Sequence, residues 1–568
     1  VIDATLLSPR KIEIRLKLPK HWTNVRCEYW NKYKKDREGI RSIPMFAWAE
    51  TESDRFYRIT LTGTESRIRY LQYQFRFQDG GVACWLNSEG LHSVPPRKGS
   101  YSYTYAGDRD GLRTPDWIHD RVWYHIFPER FCNGDTGNDP PGTQAWGTVP
   151  TRDNHMGGDL KGILNKLDYL EKLGVNALYL NPLFAASSNH KYDTVDYFRI
   201  DPQFGTTKDL KKLVAACHER DIRVVLDLVI NHCGFHHPFF QDVVRRGERS
   251  EYKDWFYIHR FPEDLSEDDY DSVGYYRWMP KLRTSNPAVR RYIFDIVTYW
   301  QKETEIDGWR IDVADELELS FLRELSSVVK SINSGAFIIA EIWDDAKRLM
   351  MSGGTDSVMN YVLRDILFDY VIDRSVPFHQ FFSRLVHHAH RYSLTELRQF
   401  YNMLGSHDTV RVFSRCGEQM QNLLLLLAIQ FVFPGSPAVY YGDELGLSGE
   451  NDPGCRACMP WDEIDEDRSI FRATREWIHL RKSHAALKYG GLELTGWEEA
   501  DCIMIRRMHD ASELVLVVNF SYRPVSVSAL RDYFGLDDSY ERIELASASS
   551  GSDAVEARNV LIMEKTKT

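Results

Sequence analysis

Four short stretches place acids, imidazoles and one guanidinium where an inert core would keep apolar residues. "DLVINH" ends in Asn231 and His232, "GWRIDVADE" carries Arg310 and Asp312, "IIAEIWDD" carries Glu341, and "GSHD" carries His407 and Asp408. Each begins like a buried strand and turns polar at its end. A buried charge is costly unless it is matched and hydrogen-bonded. Arg310 and Asp312 lie two residues apart and so share one face of their strand, which a structural ion pair would also explain. Four strands that end this way on one rim point instead to catalysis, with glycoside hydrolysis as the leading chemistry. That reaction passes through an oxocarbenium-like state and needs one carboxylate below the sugar and one protonated carboxyl beside the leaving oxygen. Arg310 is expected to keep Asp312 ionised, which suits a nucleophile. Ile339, Ile342 and Trp343 are expected to give Glu341 apolar surroundings that raise a carboxyl pKa, which suits a general acid. Asp408 beside His407 would hold sugar hydroxyls. Trp343, following Glu341 on the rim, reads as a sugar platform, and His232 could equally be a core histidine satisfied by a backbone carbonyl.

The elements that must position these residues follow from the rhythm of the chain. From about residue 116 strand, loop and helix alternate through "VWYHIFP", "VNALYLNP", "RVVLDLVINH", "DGWRIDVA", "AFIIAEIW", "SVMNY", "YNMLGSHD" and "AVYYGDELG". Eight such strands predict a (β/α)8 TIM barrel of the α/β class, whose active site lies at the C-terminal ends of the strands. The barrel is expected over 113–232 and 286–486, with residues 233–285 as a subdomain inserted after the third strand. Period-two alternation predicts an N-terminal β-sandwich over 1–112 and a C-terminal antiparallel β-domain over 487–568. Ala546 to Asp553, "ASASSGSD", reads as a loop.

Composition narrows the partners. The 568 residues have a formal net charge of -11 and 27% charged residues, against nucleic acid or anionic membrane as the main partner. "YWNKYKK" reads as a solvated face. The longest apolar run, "LLLLLAIQFVF", is short for a membrane span and reads as a buried helix. Nine cysteines in a long chain fit a reducing compartment, so a cytoplasmic location is expected. The lone Cys455-x-x-Cys458 reads as a structural loop rather than half a metal site.

The four segments, in this order, resemble the signature regions of the α-amylase superfamily of glycoside hydrolases. "MPKL", from Met279 to Leu282, is similar to a fifth region of its neopullulanase, cyclomaltodextrinase and maltogenic amylase group. "SNHKYDTVDY", "MNY", "GDELG" and "DPGCRACMPWD" look like the same group. The resemblance covers about residues 116 to 465. It implies Asp312 as nucleophile, Glu341 as acid/base and Asp408 as transition-state stabiliser. It also implies Arg310, His232, His407 and a stacking Tyr192 around the attacked glucose, with Trp343 on the leaving-group side. "NGDTGND" with the later "GGD" is similar to a calcium site of the group, with Asn133, Asp135, Asn138, Asp139, the Gly157 carbonyl and Asp159 as ligands; oxygen ligands suit Ca²⁺. An Asx-rich turn without an ion is the alternative. Two positions depart from the group: Asp315 stands where Asn is usual, and Asp344 where His is usual. The implied activity is retaining hydrolysis of α-1,4-glucosidic bonds in cyclodextrins and maltooligosaccharides, with pullulan and starch as further substrates, some transglycosylation, a starch-binding-type N-terminal domain and a homodimer. An α-glucosyltransferase or α-glucosidase on the same site, and an inactive glucan-binding barrel, stand as alternatives.

Overall fold

The computed structural model describes residues 2–33, 39–63, 67–96, 98–103, 114–261, 269–545 and 553–565. The expected boundary at residue 112, much of "FPEDLSEDDYD" and most of the 546–553 loop lie outside these residues.

Eight parallel strands form the central sheet: β1 (Trp123–Ile126), β2 (Ala177–Leu180), β3 (Arg223–Leu228), β4 (Gly308–Ile311), β5 (Phe337–Ala340), β6 (Ser357–Val358), β7 (Tyr401–Met403) and β8 (Ser436–Tyr440). They are hydrogen-bonded in the order β6-β5-β4-β3-β2-β1-β8-β7. A parallel bridge from Met359, just after β6, to Tyr401 of β7 joins the two edges and closes the barrel. Closure removes free edges and brings all eight C-terminal ends to one rim. The first residue of β4 has to be glycine, because a Cβ on Gly308 would lie 1.9 Å from the Phe337 carbonyl oxygen of β5.

Side chains fill the barrel on both faces of the sheet. Trp123, Tyr179, Val225, Phe337, Ile339, Met359 and Tyr401 pack inside it. Outward residues such as Leu178, Leu226, Trp309 and Ile338 pack under the helices in the main core. The "LLLLLAIQFVF" run lies within the helix Met420–Val432, which is buried on nearly every side. Among the described residues no helix is long and apolar enough to cross a membrane.

The two end regions share a sheet. The strands Ile2–Ser8, Lys11–Pro19, Asp54–Thr62 and Phe46–Glu50 continue through a parallel contact of Ala49 with Leu494 into Glu493–Trp497 and the C-terminal strands, making one nine-stranded sheet. A second sheet of six strands, from Thr23 to Tyr103, packs on its N-terminal half. The strand Lys11–Pro19 shows how the alternation works. Ile12, Ile14, Leu16 and Leu18 enter the sandwich core. Glu13 and Arg15 alternate with them and are buried against the barrel instead: Arg15 pairs with Glu13 at 2.9 Å and Asp3 at 2.6 Å, and Glu13 accepts the Leu394 N–H at 3.2 Å. Lys347, ahead of β6, adds a pair to Asp3 at 3.1 Å.

Candidate active site

Arg310, buried in β4, is the hub of the rim. Its Nη1 lies 2.7 Å from Asp312 Oδ1 and 3.0 Å from Asp227 Oδ1, and its Nη2 lies 3.0 Å from Glu341 Oε2. One guanidinium therefore faces three carboxyls from the ends of β3, β4 and β5. Asp312 Oδ2 is buried and has no hydrogen-bond partner. Asp227, which the sequence reading passed over, accepts the hydroxyls of Tyr179 at 2.6 Å and Tyr192 at 2.8 Å. Its position inside "DLVINH" carried a signal, since an acid at the end of a parallel strand is as unusual as Asp312.

The surroundings of the two carboxyls differ from those their sequence neighbours suggest. Burial pushes the Asp312 carboxyl well above the usual carboxylate range, Arg310 pulls it down, and Glu341 and Asp227 push it up again. Arg310 thus opposes the effect of burial on Asp312 without cancelling it. Nor is Glu341 surrounded by apolar groups. Its Oε2 accepts the Val313 N–H at 2.9 Å and its Oε1 accepts the Trp343 indole N–H at 3.2 Å. Ile339 packs in the barrel interior and Ile342 in the outer core.

The second half of the rim hangs from β7. His407 Nε2 lies 2.6 Å from the Tyr192 hydroxyl and 3.1 Å from Asp408 Oδ2. The Tyr192 and His407 rings are parallel, with centroids 5.4 Å apart. Burial, with the nearby cations Arg456 and Arg310, holds His407 neutral, far below its ordinary pKa. The loop with two cysteines proves to be the brace of this strand end: Cys455 Sγ and Arg456 Nε donate to the His407 carbonyl at 3.0 and 2.9 Å, and Arg456 Nη2 reaches Asp408 Oδ1 at 3.2 Å. Arg456 and Cys455 were not read as site residues; their place in the site depends on a loop fold that spacing does not reveal.

His232 binds the Tyr192 carbonyl through Nε2 at 3.1 Å, and burial lowers its pKa to about 4. It is thus bonded to a backbone carbonyl, as the core reading expects, and steadies the residue that carries the Tyr192 ring. Trp343 is 42% exposed and lies flat on Tyr361, with ring centroids 3.8 Å apart. Burial raises the Asp315 carboxyl pKa, a hydrogen bond from its own backbone opposes this, and Glu341, Glu316 and Asp344 add to the rise. All eight expected catalytic and sugar-binding residues fall in one connected network.

The other expected cluster, the "NGDTGND" loop and the "GGD" turn, also comes together. Asn133 Nδ2 donates to Asp139 Oδ1 at 2.9 Å, Asn138 Nδ2 to Asp159 Oδ2 at 3.2 Å, and the Gly134 N–H to Asp159 Oδ1 at 3.0 Å. Gly157 has φ +80, and a Cβ there would lie 2.3 Å from both Asn133 Nδ2 and Asp139 Oδ1. Asp135 faces outward and pairs with Lys161 at 3.1 Å. Among the described residues no group of three or more His, Cys, Asp or Glu converges as a metal cluster. Oδ1 of Asn133 and Oδ1 of Asn138 are each buried without a hydrogen-bond partner.

Comparison with known proteins agrees with this geometry. The catalytic-domain model of α-amylase matches residues 125–490. A maltogenic α-amylase from Bacillus acidopullulyticus is 39% identical over 84% of this chain and 83% of its own length. A cyclomaltodextrinase from Geobacillus thermopakistaniensis is 40% identical over 84% of this chain and 82% of its own. The solved structure of a cyclomaltodextrinase superposes with a TM-score of 0.89 at 35% identity, covering 99% of this chain and 98% of that one. The chain belongs to the α-amylase family of glycoside hydrolases, in its cyclomaltodextrinase, maltogenic amylase and neopullulanase group.

Proposed function

We propose that this glycoside hydrolase cleaves α-1,4-glucosidic bonds of cyclodextrins and maltooligosaccharides, and of pullulan, with retention of configuration. The observation that carries the reading is that one guanidinium, Arg310, holds Asp312 and Glu341 together while Asp312 Oδ2 has no hydrogen-bond partner. In the reacting complex Asp312 Oδ2 attacks the anomeric carbon as a carboxylate beside Arg310 while Glu341 gives its proton to the departing oxygen. Glu341 then takes a proton from water, which attacks the same carbon, releases Asp312 and restores the starting state. Asp408, held by His407 and Arg456, engages sugar hydroxyls of the distorted ring. Tyr192 offers a ring to the attacked glucose, and Trp343, flat and half-exposed, offers one on the leaving-group side. A sugar hydroxyl in place of that water gives transglycosylation. Release of the first product as the α-anomer, read by proton NMR, is the expected result; an initial β-anomer overturns the double displacement. Product analysis from β-cyclodextrin, pullulan, soluble starch and maltotriose ranks the substrates.

Three further parts belong to this reading. Asn133, Asn138, Asp139, Asp159 and the Gly157 carbonyl would hold Ca²⁺, with Asp135 at the margin, and the unpartnered amide oxygens support that reading. The ion would tie the 133–139 loop to the 157–159 turn and take no part in the reaction. A homodimer and a cytoplasmic location complete it; nine free cysteines, eight of them buried, fit a reducing compartment.

A further inference from the structure

The residue after Asp312 has a backbone that its type resists. Val313 lies at φ 46, ψ 50, in the left-handed region, where a β-branched residue is a genuine outlier. Its side chain is partly exposed. The consequence of the twist is seen in three successive amides: Asp312 N–H bonds the Leu228 carbonyl at 3.2 Å, Val313 N–H bonds Glu341 Oε2 at 2.9 Å, and Ala314 N–H bonds the Glu341 carbonyl at 3.1 Å. Arg310 Nη2 is close to Oε2 but is not aligned as a hydrogen-bond donor. Val313 N–H is thus the aligned donor to that oxygen.

We propose that Val313 is a positioning residue of the reaction: its left-handed backbone aims the N–H at Glu341 Oε2 and so confines the transferable proton to Oε1. Strained backbone at active sites commonly has this purpose of aiming a group. An oxygen that accepts an aligned N–H beside a guanidinium is the poorer place for a proton, whereas Oε1, among the described residues, accepts from the Trp343 indole and keeps a direction free for substrate. In the first half the proton passes from Oε1 to the glycosidic oxygen as its bond to the anomeric carbon breaks and Asp312 Oδ2 bonds that carbon. In the second half Oε1 receives a proton from water as the water oxygen bonds the anomeric carbon and the carbon–Oδ2 bond breaks. The same turn grips Glu341 at its carboxyl and its carbonyl, so main chain and Arg310 together set the spacing of the two carboxyls.

The inference rests on the acid role proposed for Glu341, and the test separates the two. Replacing Val313 by its α-hydroxy acid removes the N–H and keeps the side chain. The ester protein should lose about 10- to 100-fold in kcat/KM on maltotriose, as loss of one hydrogen bond to a charged group implies. The high-pH limb should move up by about one unit, because the ionised form has lost a donor. Val313→Gly keeps the N–H and relieves the strain, so it should raise Tm and leave the limb in place. An ester protein with the native limb overturns the proposal, and so does a Val313→Gly protein whose limb moves as the ester's does. Glu341→Gln in the same assay should abolish the limb; if it does not, the acid assignment itself has failed.

Discussion

At the scale of single residues, what separates the two carboxyls is what each oxygen already does. Asp312 gives one oxygen to Arg310 and leaves the other bare, whereas both oxygens of Glu341 have N–H donors. Asp312→Asn should therefore cost about 10³-fold or more on every substrate, since the bond-forming atom is gone. Glu341→Gln should cost about 10²- to 10⁴-fold on maltotriose but much less on an α-glycosyl fluoride, whose leaving group needs no proton. Equal losses on both substrates would remove the acid role from Glu341. Away from the site, His388 is buried beside Tyr392 and Phe433 with Nε2 unpartnered, and burial lowers its pKa to about 4. A histidine that resists protonation in the fold but not in the unfolded chain contributes stability above its unfolded pKa of 6.5, and loses it as pH falls towards 4. Thermal melts of His388→Gln and the parent should therefore converge or cross in that window, with the difference moving towards the variant by roughly 3 kcal/mol. A pH-independent difference would mean that His388 takes up its proton as readily in the fold as in the unfolded chain. The residue types of the site were legible because acids and imidazoles at strand ends have no cheap structural excuse. The surroundings of Glu341 were not, because its donors come from Val313, 28 positions away, and from a rotamer of Trp343 that no spacing encodes.

At the scale of elements, the eight strands were legible because a parallel strand buried on both faces writes a continuous apolar run between helical periods. The shared nine-stranded sheet was not. Ala49 and Leu494 are joined by one register contact between strands far apart in sequence, and alternation within a strand says nothing about its neighbour. The 133–139 loop lies between these cases: its Asx and Gly residues signal a turn, but only the fold brings Gly157 and Asp159 to it. There the orphaned oxygens of Asn133 and Asn138 lead to a prediction. If Ca²⁺ is bound there, thorough chelation should lower Tm by about 5 °C, through loss of a ligand held only by the native state. Cleavage of maltotriose well below Tm should hardly change, because the loop does not touch the Arg310 cluster. An unmoved Tm would leave an Asx-rich turn that needs no ion.

At the scale of the whole molecule, the N-terminal region is part of the body rather than an appendage. Trp48, Ala49 and Phe56 belong to the main hydrophobic core, and Glu13 and Arg15 are buried against barrel segments. Deleting residues 1–112 would bare that core and leave Lys347 without Asp3, so a truncated protein could not report on substrate choice. The size preference has to be tested on the intact chain. If a partner subunit walls the rim into a pocket, cyclodextrins and short maltooligosaccharides should be cleaved with higher kcat/KM than starch, because a wall excludes a long polymer and admits a ring. The protein should then sediment at twice the mass of the 66.2 kDa chain. Dilution through the dissociation range should lower the ratio of cyclodextrin to starch cleavage as the wall is lost. Chemistry at Asp312 and Glu341 is common to both substrates, so the ratio cancels any loss of active protein. A dimer that prefers starch, or a ratio that does not change between dimer and monomer, would sink the partner wall and leave selection to the loops of the single chain.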